Sequence, residues 1–368
     1  MSQQKPVLLA AGGTGGHLFP AESLAVALAR RGIAVELATD SRALKYGADF
    51  PARAIHAIPA ATPTGGSLYS KVAAALVLAR GTLVARGLLA RIKPGVVVGF
   101  GGYPTVPPLL AAAMRGIPAI LHEQNAVMGR ANRFLARRVQ AIATGFPELG
   151  GVDAAVRAKL HYTGNPVRPA MLAAAALPYP DFVGGRLNVL VTGGSQGARV
   201  MADIVPMAIE LLPVALRARL RVVQQARGED EARVSAVYDR LGLNCEVQPF
   251  FSDLPMRLAQ AHLVIARAGA STVAELAIVG RPAILVPFPF ALDNDQTANA
   301  AELAKTGAVT VVKQSEFTAI WLAAELTRCL NAPATLISRA LAAKQAGIAD
   351  AAERLADLVL QVVGRVRP

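Results

Sequence analysis

Two stretches of this chain open in the same manner: VLLAAGGTGGHLFPAESLAVAL from Val7 to Leu28 and VLVTGGSQGARVMADIVPMAI from Val189 to Ile209. Each runs from a short apolar strand through paired glycines, a small polar residue and another glycine into an amphipathic helix. A backbone turning that sharply from strand to helix needs glycine, and it aims the first helical amides at whatever sits above the turn. Such a unit belongs in a parallel sheet with crossover helices, and its occurrence twice predicts two doubly wound α/β halves. The 368 residues suffice for about two domains, each with its own core.

Apolar runs rich in Val, Ile and Leu alternate with Ala/Leu/Arg segments along the whole chain. In the first half the predicted strands are Val7–Ala11, Ala34–Ala38, Val96–Phe100, Ala119–His122 and Val139–Ala143; in the second they are Asn188–Thr192, Leu220–Gln224, Leu263–Ala266, Ala283–Pro287 and Val309–Val312. Tyr162–Pro169 holds one Gly and two Pro and is the expected hinge, with the boundary near Gly164. This gives domains at 1–163 and 164–348, and a closing helical segment, 349–368, whose destination periodicity does not reveal.

A mean hydropathy of +0.40 raises the question of a membrane span. The longest uncharged stretch, the 21 residues Pro94–Met114, carries Pro94, Pro104, Pro107 and Pro108 and four glycines, Gly95, Gly99, Gly101 and Gly102, and is excluded as a spanning helix. Charge is uneven. The net +13 divides into 19 basic and 7 acidic residues up to Pro180 but 19 and 18 beyond it, so an anionic partner is expected for the first half only. Gly65–Pro94 concentrates this pattern: Lys71, Arg80, Arg86, Arg91 and Lys93 are interleaved with Leu76, Leu78, Leu83, Leu88 and Leu89, with no acid. Such a segment suits either a membrane interface or an ordinary packed helix with solvated Arg. Two cysteines, Cys245 and Cys329, make no disulfide framework or metal spacing, and the apolar run before Gly12 is too short for a signal peptide, so a cytoplasmic chain is expected.

Candidate chemistry clusters at strand ends, where an open parallel sheet binds its ligands. His17 sits on the first glycine loop at a helix start, where a histidine has little structural purpose. Gly101-Gly102-Tyr103 and His122-Glu123-Gln124-Asn125 follow the next strands; His122 and Glu123 each read as a structural residue or a catalyst. Neither glycine loop matches G-x-G-x-x-G, which demotes a nicotinamide or flavin enzyme. In the second half Ser271 or Thr272 is placed to cap a helix, and Glu275 reads equally as a capping carboxylate or a ligand for hydroxyls. Asp293 and Asp295 lack partners at metal-ligand spacing, so N-capping or sugar binding is expected of that cluster.

These motifs in order are GGTGGH at Gly12–His17, GGY at Gly101–Tyr103, HEQN at His122–Asn125, GNPVR at Gly164–Arg168, GGSQGA at Gly193–Ala198 and RAGASTVAE at Arg267–Glu275. Over almost its whole length the chain thereby resembles the bacterial UDP-N-acetylglucosamine:lipid-linked muramoyl-pentapeptide N-acetylglucosaminyltransferases of peptidoglycan synthesis. The resemblance implies a GT-B fold, two Rossmann-like domains facing across a cleft, with Ala349–Val363 returning to the first domain. It implies a second domain holding UDP-GlcNAc. Ser195 and Arg168 would lie near the diphosphate, Ala270, Ser271, Thr272 and Val273 would offer helix amides, and Glu275 would take the ribose hydroxyls. Backbone near Phe251 would hold uracil and Gln296, beside Asp295, the sugar. Thr14, Gly15, Gly16 and Asn125 would complete the donor site, while Gly13, His17, Gly101, Gly102 and Tyr103 would receive the acceptor, undecaprenyl-diphosphate-linked MurNAc-pentapeptide.

The implied reaction is an inverting displacement turning lipid I into lipid II. It needs a base near neutral pKa, for which His17 is the candidate and Glu123 the runner-up, and preorganised amides for the departing diphosphate. No cofactor and no tightly held metal are expected. Anionic lipid and other cell-wall and division proteins are the implied partners, at the cytoplasmic face of the inner membrane. The rival readings are a soluble enzyme like the UDP-GlcNAc 2-epimerases, which leaves the basic first half unexplained, and a nucleic-acid binder, for which no helix-turn-helix, zinc spacing or aromatic strand motif exists.

Overall fold

The computed structural model describes residues 5–12, 15–40, 50–62, 67–182, 185–195 and 197–365. The backbone divides into two compact units, Met1–Arg168 with Ala349–Pro368, and Pro169–Ile348. The division falls after Arg168, a few residues beyond the expected Gly164, because Asn165 and Val167 are buried with the first unit's strand ends.

The first unit contains β1 (Val7–Ala10), β2 (Val35–Thr39), β3 (Ala54–Ala57), β4 (Val96–Gly99), β5 (Ala119–Glu123), β6 (Ala141–Thr144) and β7 (Leu160–Tyr162). The second contains β8 (Leu187–Thr192), β9 (Leu220–Gln225), β10 (Cys245–Gln248), β11 (Leu263–Ala266), β12 (Ala283–Leu285) and β13 (Val309–Val311). All pairings are parallel, in the orders β3-β2-β1-β4-β5-β6-β7 and β10-β9-β8-β11-β12-β13. In both sheets the strand order reverses beside the first strand, between β1 and β4 and between β8 and β11, which is where such sheets open a crevice.

The ten strands expected from apolar runs are present within a residue or two. Three more, β3, β7 and β10, were not anticipated. They are edge or near-edge strands with polar centres (His56, His161, Glu246) and partial exposure, so they lack the continuous apolar run that marks a strand buried on both faces.

Alternate residues of β1 serve opposite layers. Val7 and Leu9 pack with Leu24 and Leu28 of α1 (Gly15–Arg30), and the helix Ala351–Arg365 covers the same layer through Leu355, Val359 and Val362. Arg31 fastens that last helix by bonding Glu353 and Asp357, each at 2.6 Å. On the other face Leu8 and Ala10 meet Leu88 and Leu89 of α2 (Leu68–Ile92) and Leu109 of α3 (Val106–Met114).

α2 is long and apolar enough to cross a membrane by length and composition, yet its C-terminal half is docked on the unit. Gly81 lies so close to the Pro59 carbonyl that a Cβ there would stand 2.0 Å from the oxygen. Only Ala74, Gly81, Thr82, Ala85, Leu88 and Leu89 are buried; Lys71, Arg80, Arg86, Arg91 and the capping Lys93 are exposed, as are Leu68, Tyr69, Val72, Leu76, Leu83 and Val84.

Candidate functional site

In the first unit the ends of β1, β4 and β5 bring three loops together. Gly12 is required by space: a Cβ there would stand 2.9 Å from Asp40 Oδ1 and 3.0 Å from Pro104. Gly13 and Thr14 lie outside the described residues. Gly15 and Gly16 begin α1, and the Phe19 ring folds back over Gly15, 2.9 Å from where a Cβ would stand.

His17, half-buried in the first turn of α1, sits 3.0 Å through Nδ1 from Gln124 Oε1. Burial pushes the imidazole below its ordinary pKa, against smaller opposing effects of Gln124 and the Phe100 backbone. Gly101 and Gly102 line its other side, both with left-handed φ (84° and 71°) and with Cβ positions 3.4 Å and 3.3 Å from the ring. Tyr103 follows and packs partly into the core. Of the residues expected to receive the acceptor, Gly101 and Gly102 thus lie against the His17 imidazole.

His122 and Glu123 are both buried. His122 is completely buried against Phe100, 5.5 Å between ring centroids, and desolvation pushes its pKa down to about 4. Glu123 is buried as well, and both its oxygens accept bonds inside its own loop: Oε1 from the Asn125 amide (3.0 Å), Oε2 from the Gly129 amide (2.9 Å) and Asn132 Nδ2 (2.8 Å). Burial raises its pKa. A carboxylate so engaged shapes the turn that presents Gln124 and Asn125.

Arg168 belongs to this first unit, with its guanidinium 4.1 Å above the Phe19 ring and its Nε buried without a hydrogen-bond partner among the described residues. The sequence did not suggest Phe19 as its platform.

In the second unit the glycine loop after β8 is tighter still. A Cβ on Gly193 would stand 2.2 Å from the Ala198 amide nitrogen, and Gly194 and Gly197 have φ of 78° and 68°. Ser195 is exposed at its apex. Gln225, at the end of β9, staples the loop: Oε1 accepts from Thr192 Oγ1 and the Gly193 amide, both at 3.0 Å, while Nε2 donates to the Gly194 and Pro249 carbonyls, both at 3.1 Å. It thereby ties the glycine loop to the turn before Phe251. Phe251 is buried beneath the Arg257 guanidinium, 4.3 Å from its centroid, and Glu246 and Asp253 hold that guanidinium in place.

The helix Ala270–Val279 starts from Gly269 with no side-chain cap. Ser271 and Thr272 do not cap it; both lie inside the first turn, where their amides, with that of Ala270, have no intrahelical acceptor. Glu275 stands one turn further on in the same helix. Gln296 Oε1 accepts from the Phe288 amide (2.9 Å) and the Ala268 amide (3.2 Å). Beside it Asp295 has Oδ1 buried without a partner among the described residues, and burial raises its pKa. Arg267 is turned away, its guanidinium bonding the Val286 carbonyl and Gln314. Among the described residues no group of three His, Cys, Asp or Glu side chains is placed to share a metal ion.

Residues 7–144 match the glycosyltransferase family 28 N-terminal domain and residues 188–355 its C-terminal domain. A protein of Methylobacterium nodulans named UDP-N-acetylglucosamine-N-acetylmuramyl-(pentapeptide) pyrophosphoryl-undecaprenol N-acetylglucosamine transferase is 60% identical over 97% of both chains.

The chain belongs to glycosyltransferase family 28.

A protein of the same name from Rhodopseudomonas palustris is 57% identical over 99% of this family 28 chain and 98% of its own length. Among solved structures, Acinetobacter baumannii MurG is 30% identical, covers 97% of this chain and 99% of that one, and superposes with a TM-score of 0.77. The fold is GT-B. A UDP-GlcNAc 2-epimerase from Neisseria meningitidis superposes at 0.67 with 15% identity over 96% of this chain and all of that one, a likeness of fold alone.

Proposed function

We propose that this family 28 enzyme transfers GlcNAc from UDP-GlcNAc to the muramoyl hydroxyl of undecaprenyl-diphosphate-linked MurNAc-pentapeptide, forming lipid II with inversion. What supports the reading above all is the assembly of His17, Gly101, Gly102 and Gln124 at the first sheet's strand ends, in a chain 60% identical to a protein of that name. The acceptor hydroxyl attacks the anomeric carbon as the bond to the UDP oxygen breaks, its electron pair leaving on the diphosphate, and His17 accepts the hydroxyl proton. An imidazole held below 6.5 by burial is neutral at pH 7 and competent as a base. Glu123, its oxygens engaged by its own loop, is assigned to shaping that loop instead.

The second unit holds the donor in this reading. First-turn amides of Ala270, Ser271 and Thr272, with Ser195 and Arg168, take the diphosphate, whereas the Val273 amide, expected to join them, donates to the Gly269 carbonyl at 3.0 Å; Glu275 takes the ribose, backbone by Phe251 the uracil, and the Gln296 amide the sugar. Gly15, Gly16 and Asn125 complete the donor contacts. Charge grows on the leaving diphosphate, so donors fixed before reaction lower the barrier without reorganising. Purified protein with UDP-GlcNAc and a lipid-linked acceptor should release UDP only when both are present. Conversion of UDP-GlcNAc alone into its 2-epimer would overturn the assignment.

The enzyme works as a peripheral protein at the cytoplasmic face of the inner membrane in this proposal. The support is α2, whose exposed apolar side chains are flanked by Lys71, Arg80, Arg86 and Arg91, the chemistry of an interface with anionic lipid. Binding to vesicles containing phosphatidylglycerol should weaken with salt, and insensitivity to both salt and headgroup would remove the electrostatic part of the idea.

A further inference from the structure

The orientation of the Gln124 side chain is fixed by a group that can act in one sense only. Its Nε2 lies 2.8 Å from the Phe100 carbonyl oxygen, which accepts and cannot donate. That carbonyl is itself held by the sheet, because the Phe100 amide donates to Ala10 O at 2.9 Å and so prolongs the β1–β4 pairing. The amide NH2 of Gln124 must therefore face Phe100, and its Oε1 must face His17 Nδ1 at 3.0 Å. The other end of Gln124 is pinned as well: its backbone carbonyl accepts from Asn165 Nδ2 at 2.9 Å, and the residue is 4% exposed.

An amide oxygen accepts only, so the bond to His17 forms when Nδ1 carries the hydrogen. We infer that Gln124 is a positioning residue that holds neutral His17 in its Nδ1–H tautomer, leaving the Nε2 lone pair toward Gly102 as the proton acceptor. The glycine loop is shaped accordingly, since the Cβ absent from Gly102 would stand 3.3 Å from Nε2. A triad histidine is oriented in the same way by a carboxylate, which also raises its basicity. A neutral amide orients without that charge and leaves the imidazole below its ordinary pKa. Burial holds His122 of β5 near 4, with a smaller lowering from His17; Glu123 is turned into its own loop, and the β4 side brings Gly101 and Gly102.

The inference rests on His17 being the base, and the test separates the two. With the full-length enzyme, His17→Ala comes first: turnover retained within a factor of about two removes the base assignment whatever Gln124 does. If His17→Ala is inactive or nearly so, Gln124→Met should lower kcat by about 10- to 100-fold with both KM values held, and should cost nothing further in the His17→Ala background. A full multiplicative loss there would overturn the inference while leaving the base in place. Gln124→Glu puts a carboxylate on Nδ1–H and should move the acid limb of the kcat/KM profile to higher pH; an unmoved limb would show a merely structural contact. Nitrogen-15 spectra of the unsubstituted protein need no variant to fold. They should show a protonated Nδ1 and a bare Nε2 for His17, and the reverse pattern would overturn the inference.

Discussion

Arg168 lays its guanidinium over Phe19, 4.1 Å from the ring centroid, and Phe19 in turn covers Gly15 at the start of α1. A cation assigned to the donor diphosphate is thus held by an aromatic platform on the helix that carries His17. Phe19→Leu keeps an apolar cover for Gly15 but removes the ring face. The expected outcome is a loss of roughly 1 kcal/mol in stability by denaturant titration, together with a raised KM for UDP-GlcNAc and an unchanged acceptor KM. Unaltered donor KM would detach Arg168 from donor binding.

Gln225 offers a second handle on the donor. Gln225→Leu removes four bonds between the β8 glycine loop and the Pro249 turn and leaves buried polar groups unpaired. Donor KM should rise about tenfold and stability fall by about 1–3 kcal/mol, while acceptor KM holds. A drop in kcat with donor KM unmoved would contradict the loop's role.

The buried His122 makes stability depend on pH. Its pKa is about 4 in the folded protein against 6.5 in the unfolded chain, so between those values the unfolded state binds more protons and stability falls as pH falls. Nothing is lost on this account above 6.5, and the loss reaches ~3 kcal/mol once both states are protonated. Urea midpoints at pH 7 and pH 5 should show the fall, and His122→Gln should flatten that part of the curve.

Exposed leucines on α2 separate membrane binding from chemistry. Leu76 and Leu83 are 67% and 64% exposed. A Leu76→Glu, Leu83→Glu double variant should keep turnover on a water-soluble acceptor analogue and lose most sedimentation with anionic vesicles, because about 3 kcal/mol of apolar contact is replaced by charge repulsion.

The parts legible in the sequence were those governed by local rules. Strands such as Val96–Gly99 and Leu263–Ala266 are buried on both faces and must be apolar throughout, so they announced themselves. β3, with Ala-Ile-His-Ala, did not, because His56 is placed there to meet Glu36 on β2, a pairing 20 residues apart that no run of hydrophobicity encodes. His17 could be singled out by its position on a glycine loop, whereas Gln124 acquires its importance only when β5 lies beside β4 and brings it to Phe100. Glu275 and the two hydroxyl residues before it satisfied the pattern of a capped helix, yet the loop from β11 delivers Gly269 to the cap position and leaves those side chains inside the helix. Arg168 and Phe19 are joined by the fold alone.

The last helix has a consequence for synthesis of the chain. Leu355, Val359 and Val362 cover the layer that Val7, Leu9, Leu24 and Leu28 leave open, and Arg31 waits for Glu353 and Asp357. On the ribosome the second unit therefore has all of its residues, Pro169 to Ile348, before the first has its own. The half that carries His17 and α2 is completed after it, by residues that follow the second unit in the chain.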